Sequence, residues 1–219
     1  SHVADRVLTA FPETLPNAEI VGNPVRGDIA ALNVPGERYG ARRGALQVLV
    51  MGGSLGAKAI NDVLPQAIAC MPLQSRPRIL HQTGRGHCDV VRDAYLGAGV
   101  EASCAEFIDD VAAALNDADV VICRAGALTV SELACAGVAS ILIPYPHAVD
   151  DHQTGNARHL AAIGAALLVP QTELNAVALA ETLGALTRET LAAMAAKARS
   201  LAKPGATRRL AEICIEVAA

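Results

Sequence analysis

Nine residues, Arg124-Ala-Gly-Ala-Leu-Thr-Val-Ser-Glu132, combine a small-residue turn with hydroxyls and one carboxylate. They follow the apolar run Asp119-Val-Val-Ile-Cys123 and open a helix-like stretch, Leu128 to Cys135. A strand that turns through small residues into a helix leaves backbone N–H groups unpaired at the helix start. That end also carries partial positive charge, so it suits an anion such as phosphate. A second element of this kind lies upstream, where Leu46-Gln-Val-Leu-Val-Met51 runs into Gly52-Gly-Ser-Leu-Gly-Ala57. Two such elements point to a ligand carrying two phosphates.

Each motif also has a plain structural explanation. The 52–57 run is neither G-x-G-x-x-G nor a Walker loop, and the strand ending His81-Gln82 offers no acid for a nicotinamide-cofactor ribose, so a dinucleotide site is disfavoured. A tight turn explains one glycine by its need for positive φ; three, with Ser54 among them, lean towards close phosphate approach. Thr129 and Glu132 have the spacing of a capping box, with Thr129 as the cap. The functional alternative places Glu132 in the first helical turn, facing the two hydroxyls of a ribose and turned away from the phosphates. Arg26 follows the Gly22-Asn-Pro24 turn and is a solvated arginine or a ligand contact. Asp109 and Asp110 suit a helix start through the dipole alone. Asp150 or Asp151 caps the next helix, while Gln153 and Asn156 carry amides that could serve sugar hydroxyls. The six histidines have no zinc-binding spacing, so no metal site is expected.

The elements that must position these residues alternate regularly. Strands are expected at 19–21, 46–51, 78–82, 102–105, 119–123, 139–143 and 165–169. Helices are expected at 57–70, 86–97, 107–116, 128–136 and 153–163, with a largely helical tail over 173–217 broken at Lys203-Pro204-Gly205. Repeated strand–helix units imply an α/β fold, a Rossmann-like parallel sheet with helices on both faces. Ligands of such sheets bind beyond the carboxyl ends of the strands. The chemistry is therefore expected at loops 22–26, 52–57, 83–86, 107–110, 124–129 and 144–153.

Composition narrows the partners. Hydrophobic residues make up 52% of the 219, enough for a substantial core, but only 2% are aromatic, so Ala, Val, Leu and Ile must fill it. A formal charge of −4 argues against nucleic acid held by counterion release. The absence of Trp and the scarcity of Tyr and Phe argue against base-stacking platforms. The six cysteines form no C-x-x-C pair and read as buried free thiols in a reducing cytoplasm. No apolar run is long enough to span a bilayer.

Six segments, in order, carry a closer resemblance: Gly22-Asn-Pro-Val-Arg26, Gly52-Gly-Ser-Leu-Gly-Ala57, His81-Gln-Thr-Gly84, Phe107-Ile-Asp-Asp110, Arg124 to Glu132, and Asp151-His-Gln-Thr-Gly-Asn-Ala157. Together they resemble the carboxyl-terminal half of the MurG family, the UDP-N-acetylglucosamine:N-acetylmuramyl-(pentapeptide) pyrophosphoryl-undecaprenol N-acetylglucosamine transferases of peptidoglycan synthesis, hexosyltransferases tied to cell-wall biogenesis, cell shape and cell division. The resemblance runs from Ala4 to the last helix. It implies the carboxyl-terminal lobe of a GT-B glycosyltransferase, with a remnant of the interdomain segment at 1–16, a donor-binding domain at 17–203 and a C-terminal helix at 204–219. By motif, the backbone of Ile108 would read the uracil edge beside Phe107, and Glu132 would hold the ribose hydroxyls. Ser54 and the backbone of Ala127, Leu128, Thr129, Val130 and Ser131 would meet the diphosphate. Arg26 and Gln153 would contact the donor, Gln153 at the GlcNAc hydroxyls.

The implied reaction is inverting transfer of GlcNAc from UDP-GlcNAc to the muramyl C4 hydroxyl of lipid I, forming lipid II without a cofactor. The resemblance places the acceptor site, the membrane-contacting patch and the general base in an amino-terminal lobe outside these residues. No catalytic residue is assigned here, and this piece alone is expected to be soluble and inactive. The whole protein would be peripheral on the cytoplasmic side of the bacterial inner membrane. Two other readings stay open: a natural, partner-dependent donor-binding subunit of a two-chain transferase, and another UDP-sugar enzyme with the same lobe, such as a 2-epimerase.

Overall fold

The computed structural model describes residues 4–12, 16–148 and 151–218. Two short strands come first, β1 (Leu8–Thr9) and β2 (Glu19–Ile20), paired in parallel. Two short helices follow, α1 (Gly27–Ala30) and α2 (Pro35–Ala41). Strands and helices then alternate: β3 (Gln47–Met51), α3 (Lys58–Cys70), β4 (Arg78–Gln82), α4 (Cys88–Gly97), β5 (Ser103–Ala105), α5 (Val111–Asp117) and β6 (Val120–Cys123). The alternation continues through α6 (Ala127–Ala136), β7 (Ala139–Leu142), α7 (His152–Ala161) and β8 (Ala166–Leu168). Helices α8 (Ala176–Ala185), α9 (Arg188–Ser200) and α10 (Ala206–Ala218) follow.

Strands β3 to β8 form one parallel sheet in the order β5-β4-β3-β6-β7-β8. The central strands β3 and β6 are short and rich in Val, Ile and Leu because helices cover both of their faces. Val48, Val50, Val120, Ile122 and Ile141 bury against Ile60 and Leu64 of α3, Tyr95 of α4 and Leu179 of α8. Leu49, Val121, Cys123 and Leu142 bury on the opposite face against Leu115 of α5, Val130 and Leu133 of α6 and Leu160 of α7. The chain builds outwards from β3 to β5, then returns to the other side of β3 with β6. At that reversal the loops leaving β3 and β6 diverge and open a crevice at the carboxyl ends of the strands.

The elements from β3 onwards lie within one or two residues of the sequence expectation, as helix and strand ends usually do, except α5, which starts at Val111 and not at 107 because Asp110 holds its N-cap. The opening segment differs: no element is expected before Glu19, yet Leu8–Thr9 forms a strand against β2. The cysteines differ too. Cys123 and Cys135 are buried, Cys70 and Cys214 are exposed, Cys88 and Cys104 lie between, and none is disulfide-bonded. Burial pushes the Cys123 thiol up to about 12, so it behaves as a small apolar side chain. Cys70, at the end of α3, and Cys214, on α10, do not reach either core.

The opposite end of the sheet is held by a charged clamp. The Asp119 carboxylate is fully enclosed; it accepts from Arg42 at 2.8 Å, from Arg188 at 3.2 Å and from the Gln47 amide at 2.8 Å. Tyr39 donates its hydroxyl to the Asp119 carbonyl at 2.7 Å. The buried Arg38 donates to the carbonyls of Leu115, Ala136 and Gly137, satisfying the open ends of α5 and α6. These groups lie at the amino ends of the strands, where they serve stability.

Candidate donor-nucleotide site

Met51 and Cys123 are paired across the β3–β6 ladder, so loops 52–57 and 124–127 leave the sheet side by side at the strand-order reversal. Helix α6 starts at Ala127, and Gly126 holds the N-cap position without a side-chain hydrogen bond. The expectation of Thr129 as the cap is therefore corrected. A glycine with extended backbone starts the helix earlier, and Thr129 lies inside its first turn. Glu132 accordingly falls in the second turn, not the first. Val130 donates its amide to the Gly126 carbonyl at 2.9 Å. Helix geometry leaves the amides of Ala127, Leu128 and Thr129 open at the crevice.

Val130 and Ser131, which follow, are already engaged. The Val130 side chain is fully buried. The Ser131 hydroxyl donates to the Ala127 carbonyl at 3.0 Å and accepts from the Asn23 side chain at 3.1 Å. Asn23 also donates to the Ala127 carbonyl, at 3.2 Å. It thus pins the 22–26 turn onto α6, a role hidden in sequence because Asn-Pro signals only a turn. That turn carries Arg26 towards Glu132. Burial raises the Glu132 carboxyl above its ordinary value, Arg26 pulls it down and Asp28 pushes it up. Arg26 is half exposed and only loosely paired with Asp28, at 3.9 Å.

The glycine-rich loop is a turn closed by the Gly56 amide on the Gly53 carbonyl at 3.1 Å, with Ser54 and Leu55 exposed at its corner. Gly56 has φ +76, and a Cβ there would lie 2.4 Å from the Thr83 carbonyl. A Cβ on Gly84 would lie 2.2 Å from the Gly56 nitrogen. Loops 52–57 and 82–84 therefore pack backbone to backbone, which only glycine allows. Close packing accounts for Gly52 and Gly56, and Gly53 takes φ +75 with open space beside it, so the number of glycines does not by itself argue for phosphate approach. The phosphate reading rests instead on the open amides of α6 and the exposed Ser54.

On the other side of β3, Phe107 and Ile108 join Leu49, Met51, Gln82 and Ala114 around a cavity of about 110 Å3. Phe107 is partly exposed, with the Arg85 guanidinium 5.8 Å from its ring centroid. Asp110 caps α5, accepting from the Ala113 amide at 2.8 Å. His81 is fully buried; its ring lies 3.0 Å from both the Tyr95 hydroxyl and the Asn61 amide oxygen, and burial lowers it to about 4. Asn61 donates on to the Thr83 carbonyl at 3.0 Å. Because an amide oxygen only accepts, His81 carries its proton on Nε2 and accepts from Tyr95. This neutral imidazole is a strut beneath loop 83–86.

Helix α7 closes the far side. Gln153 accepts from the amides of Ala125 at 3.2 Å and Tyr145 at 3.0 Å, and Asn156 donates to the Ala125 carbonyl at 3.0 Å. Both amides, expected to face the crevice, tie α7 to the β6 tip. Asp151 occupies the N-cap position with φ +51 but makes no capping bond to the backbone; its carboxylate accepts from the Thr154 hydroxyl at 2.6 Å. Asp150, the other expected cap, lies outside the described residues. Arg124 donates to the carbonyls of Ile143 and Pro144 and to the Gln171 side chain, joining the tips of β6 and β7. Among the described residues no cluster of His, Cys, Asp or Glu could hold a metal, and no helix is long and apolar enough to cross a membrane.

Residues 47–210 match the Glycosyltransferase family 28 C-terminal domain. The chain is 57% identical over 221 residues to the UDP-N-acetylglucosamine--N-acetylmuramyl-(pentapeptide) pyrophosphoryl-undecaprenol N-acetylglucosamine transferase of Ralstonia nicotianae, covering 100% of this chain and 60% of that protein. It is 59% identical over 216 residues to the Cupriavidus metallidurans protein of the same name, covering 99% of this chain and 61% of that protein. The crystal structure of Acinetobacter baumannii MurG superposes with a TM-score of 0.88 at 39% identity, over 97% of this chain and 60% of that one. The calicheamicin glycosyltransferase CalG4 shares the fold at a TM-score of 0.57 and 17% identity, over 90% of this chain and 47% of that one. The chain thus spans about three fifths of the length of the curated relatives it matches.

Proposed function

Because the chain belongs to the glycosyltransferase family 28 C-terminal domains, we propose that it is the donor-binding half of an inverting transferase that moves GlcNAc from UDP-GlcNAc to lipid I. The observation that carries this reading is the uncapped start of α6 beside the β3 loop at the strand-order reversal. The amides of Ala127, Leu128 and Thr129 would receive the diphosphate, with Ser54 opposite. Ile108 would read the uracil edge through its backbone, and Glu132 would accept from the ribose hydroxyls. Arg26 would offset the charge on Glu132 and contact the donor, and Gln153 would complete the sugar side. In this reading the donor-binding unit runs from 17 to 203, with 1–16 a remnant of the interdomain segment and 204–219 a C-terminal helix.

When the C4 hydroxyl of the acceptor displaces UDP, negative charge grows on the leaving diphosphate. The fixed dipoles of the α6 amides stabilise that charge without reorganisation. The general base and the acceptor site belong, in this proposal, to the part of the relatives that this chain does not cover. The names of those relatives support an N-acetylmuramyl-(pentapeptide) pyrophosphoryl-undecaprenol acceptor; in this proposal the whole protein meets it at the cytoplasmic face of the bacterial inner membrane.

UDP-GlcNAc at about a hundred times its dissociation constant should stabilise the chain by about 2.7 kcal/mol, roughly 5–10 °C in the unfolding midpoint. ADP-sugars and NAD at the same concentration should give much less. Thermal-shift titration checks this, and equal protection by all three removes the uracil assignment.

A further inference from the structure

Gln82, the last residue of β4, is 8% exposed and sits between the two loops assigned to opposite ends of the nucleotide. Its side chain does three things. Oε1 accepts from the Gly53 amide at 3.1 Å. Nε2 donates to the Gly53 carbonyl at 3.0 Å and to the Glu106 carbonyl at 3.1 Å, using both of its hydrogens. The first two bonds close a ring on the glycine-rich loop, and the third reaches the residue before Phe107. The backbone continues the brace: the Gln82 carbonyl accepts from Gly52 at 3.0 Å, and the Thr83 amide donates to Ala105 at 2.9 Å.

Neighbouring bonds run the same way. Arg85 donates its amide to the Ser54 carbonyl at 3.2 Å, and Glu106 accepts from the Gly86 amide at 2.6 Å. The phosphate-side and base-side loops are thus linked through the end of β4, and among the described residues Gln82 is the one side chain that bonds to both. A two-ended ligand gains from such a link because the second end binds only if its site already stands at the right separation.

We propose that Gln82 is a positioning residue that sets the separation of the phosphate-side and base-side loops, and so makes uridine and diphosphate bind as one ligand. This rests on the uridine-diphosphate reading of the site. Gln82→Met keeps the volume and removes all three bonds; Gln82→Glu keeps the acceptor and removes both donors. In the chain described here, both variants should bind UDP at least tenfold more weakly by calorimetry. Uridine alone, followed by NMR titration, should change less than threefold, because one end needs no fixed separation.

A purely structural role would lower the unfolding midpoint without changing the ratio of UDP to uridine affinity. Equal UDP binding by the unaltered chain and both variants overturns the proposal for Gln82 and leaves the site reading intact. Equal losses for UDP and uridine overturn it too, as does failure of both variants to fold. Absence of UDP binding in the unaltered chain overturns the site reading itself.

Discussion

Replacing Glu132 by Gln should weaken UDP binding about 10- to 100-fold while leaving the unliganded chain no less stable at pH 7. A hydrogen bond to a charged acceptor contributes about 1.5–3 kcal/mol, and each 1.4 kcal/mol is tenfold in affinity. In the folded chain the half-buried carboxyl is raised above its ordinary value, first by burial and then by Asp28, with Arg26 opposing. Folding therefore favours the protonated form. That contribution is complete below the unfolded pKa and is lost as pH rises through the folded one, so the ionised group is a cost at neutral pH. Gln carries no such cost, and it should flatten the stability profile on the alkaline side of the ordinary carboxylate range. Calorimetric titration with UDP and thermal melts from pH 4 to 8 measure the two effects. If the variant binds UDP as the unaltered chain does, Glu132 has no part in recognition. Because α6 starts at Ala127, no capping loss offsets the result.

The largest loss of stability is expected from Asp119→Ala, about 3 kcal/mol. Removing one partner of a buried ionic group costs about 3–5 kcal/mol. The lower end applies because Arg42 and Arg188 keep side-chain exposures of 14% and 22% and can regain some water. For a chain of this size the midpoint should fall by roughly 6–12 °C. Burial alone would push the Asp119 carboxyl up. Arg188, the Gln47 amide and Arg42 outweigh it and hold the group below its ordinary value. Its stabilisation is therefore present above the unfolded pKa and is lost as pH falls through the folded one. Asp119→Asn should flatten that acid limb. Urea unfolding at pH 7 and pH 3 tests both statements. A midpoint unchanged by Asp119→Ala would show that the clamp is dispensable.

Much of the architecture was legible because both faces of the sheet are covered. Val48 to Val50 and Val120 to Ile122 must be apolar on both sides, so they stand out as short unbroken runs. The opening strand was not legible. Leu8–Thr9 is two residues long and is recognisable only by its partner, Glu19–Ile20, eleven residues further on. The Thr129 to Glu132 spacing misled for a similar reason. A capping box and an interior helical turn have the same letters, and Gly126, not Thr129, has the extended backbone of a helix start.

The sequence alone determined the loops that carry the candidate chemistry, because strand length and small-residue turns are local properties. It also carried the family, through six segments in order. Tertiary structure decided which polar atoms remain available to a ligand. Ser131 and Asn156 have the right chemistry for a sugar nucleotide, yet bonds to Asn23 and Ala125 engage them within the fold, and Gln153 commits its Oε1 to Ala125 and Tyr145, so its proposed sugar contact falls to Nε2. Gln82 gave no sign of its position between two loops, since its bonds join residues 29 apart and 24 apart along the chain. A buried donor or acceptor must be satisfied by whatever packing brings near it, and that depends on the order of the strands in the sheet.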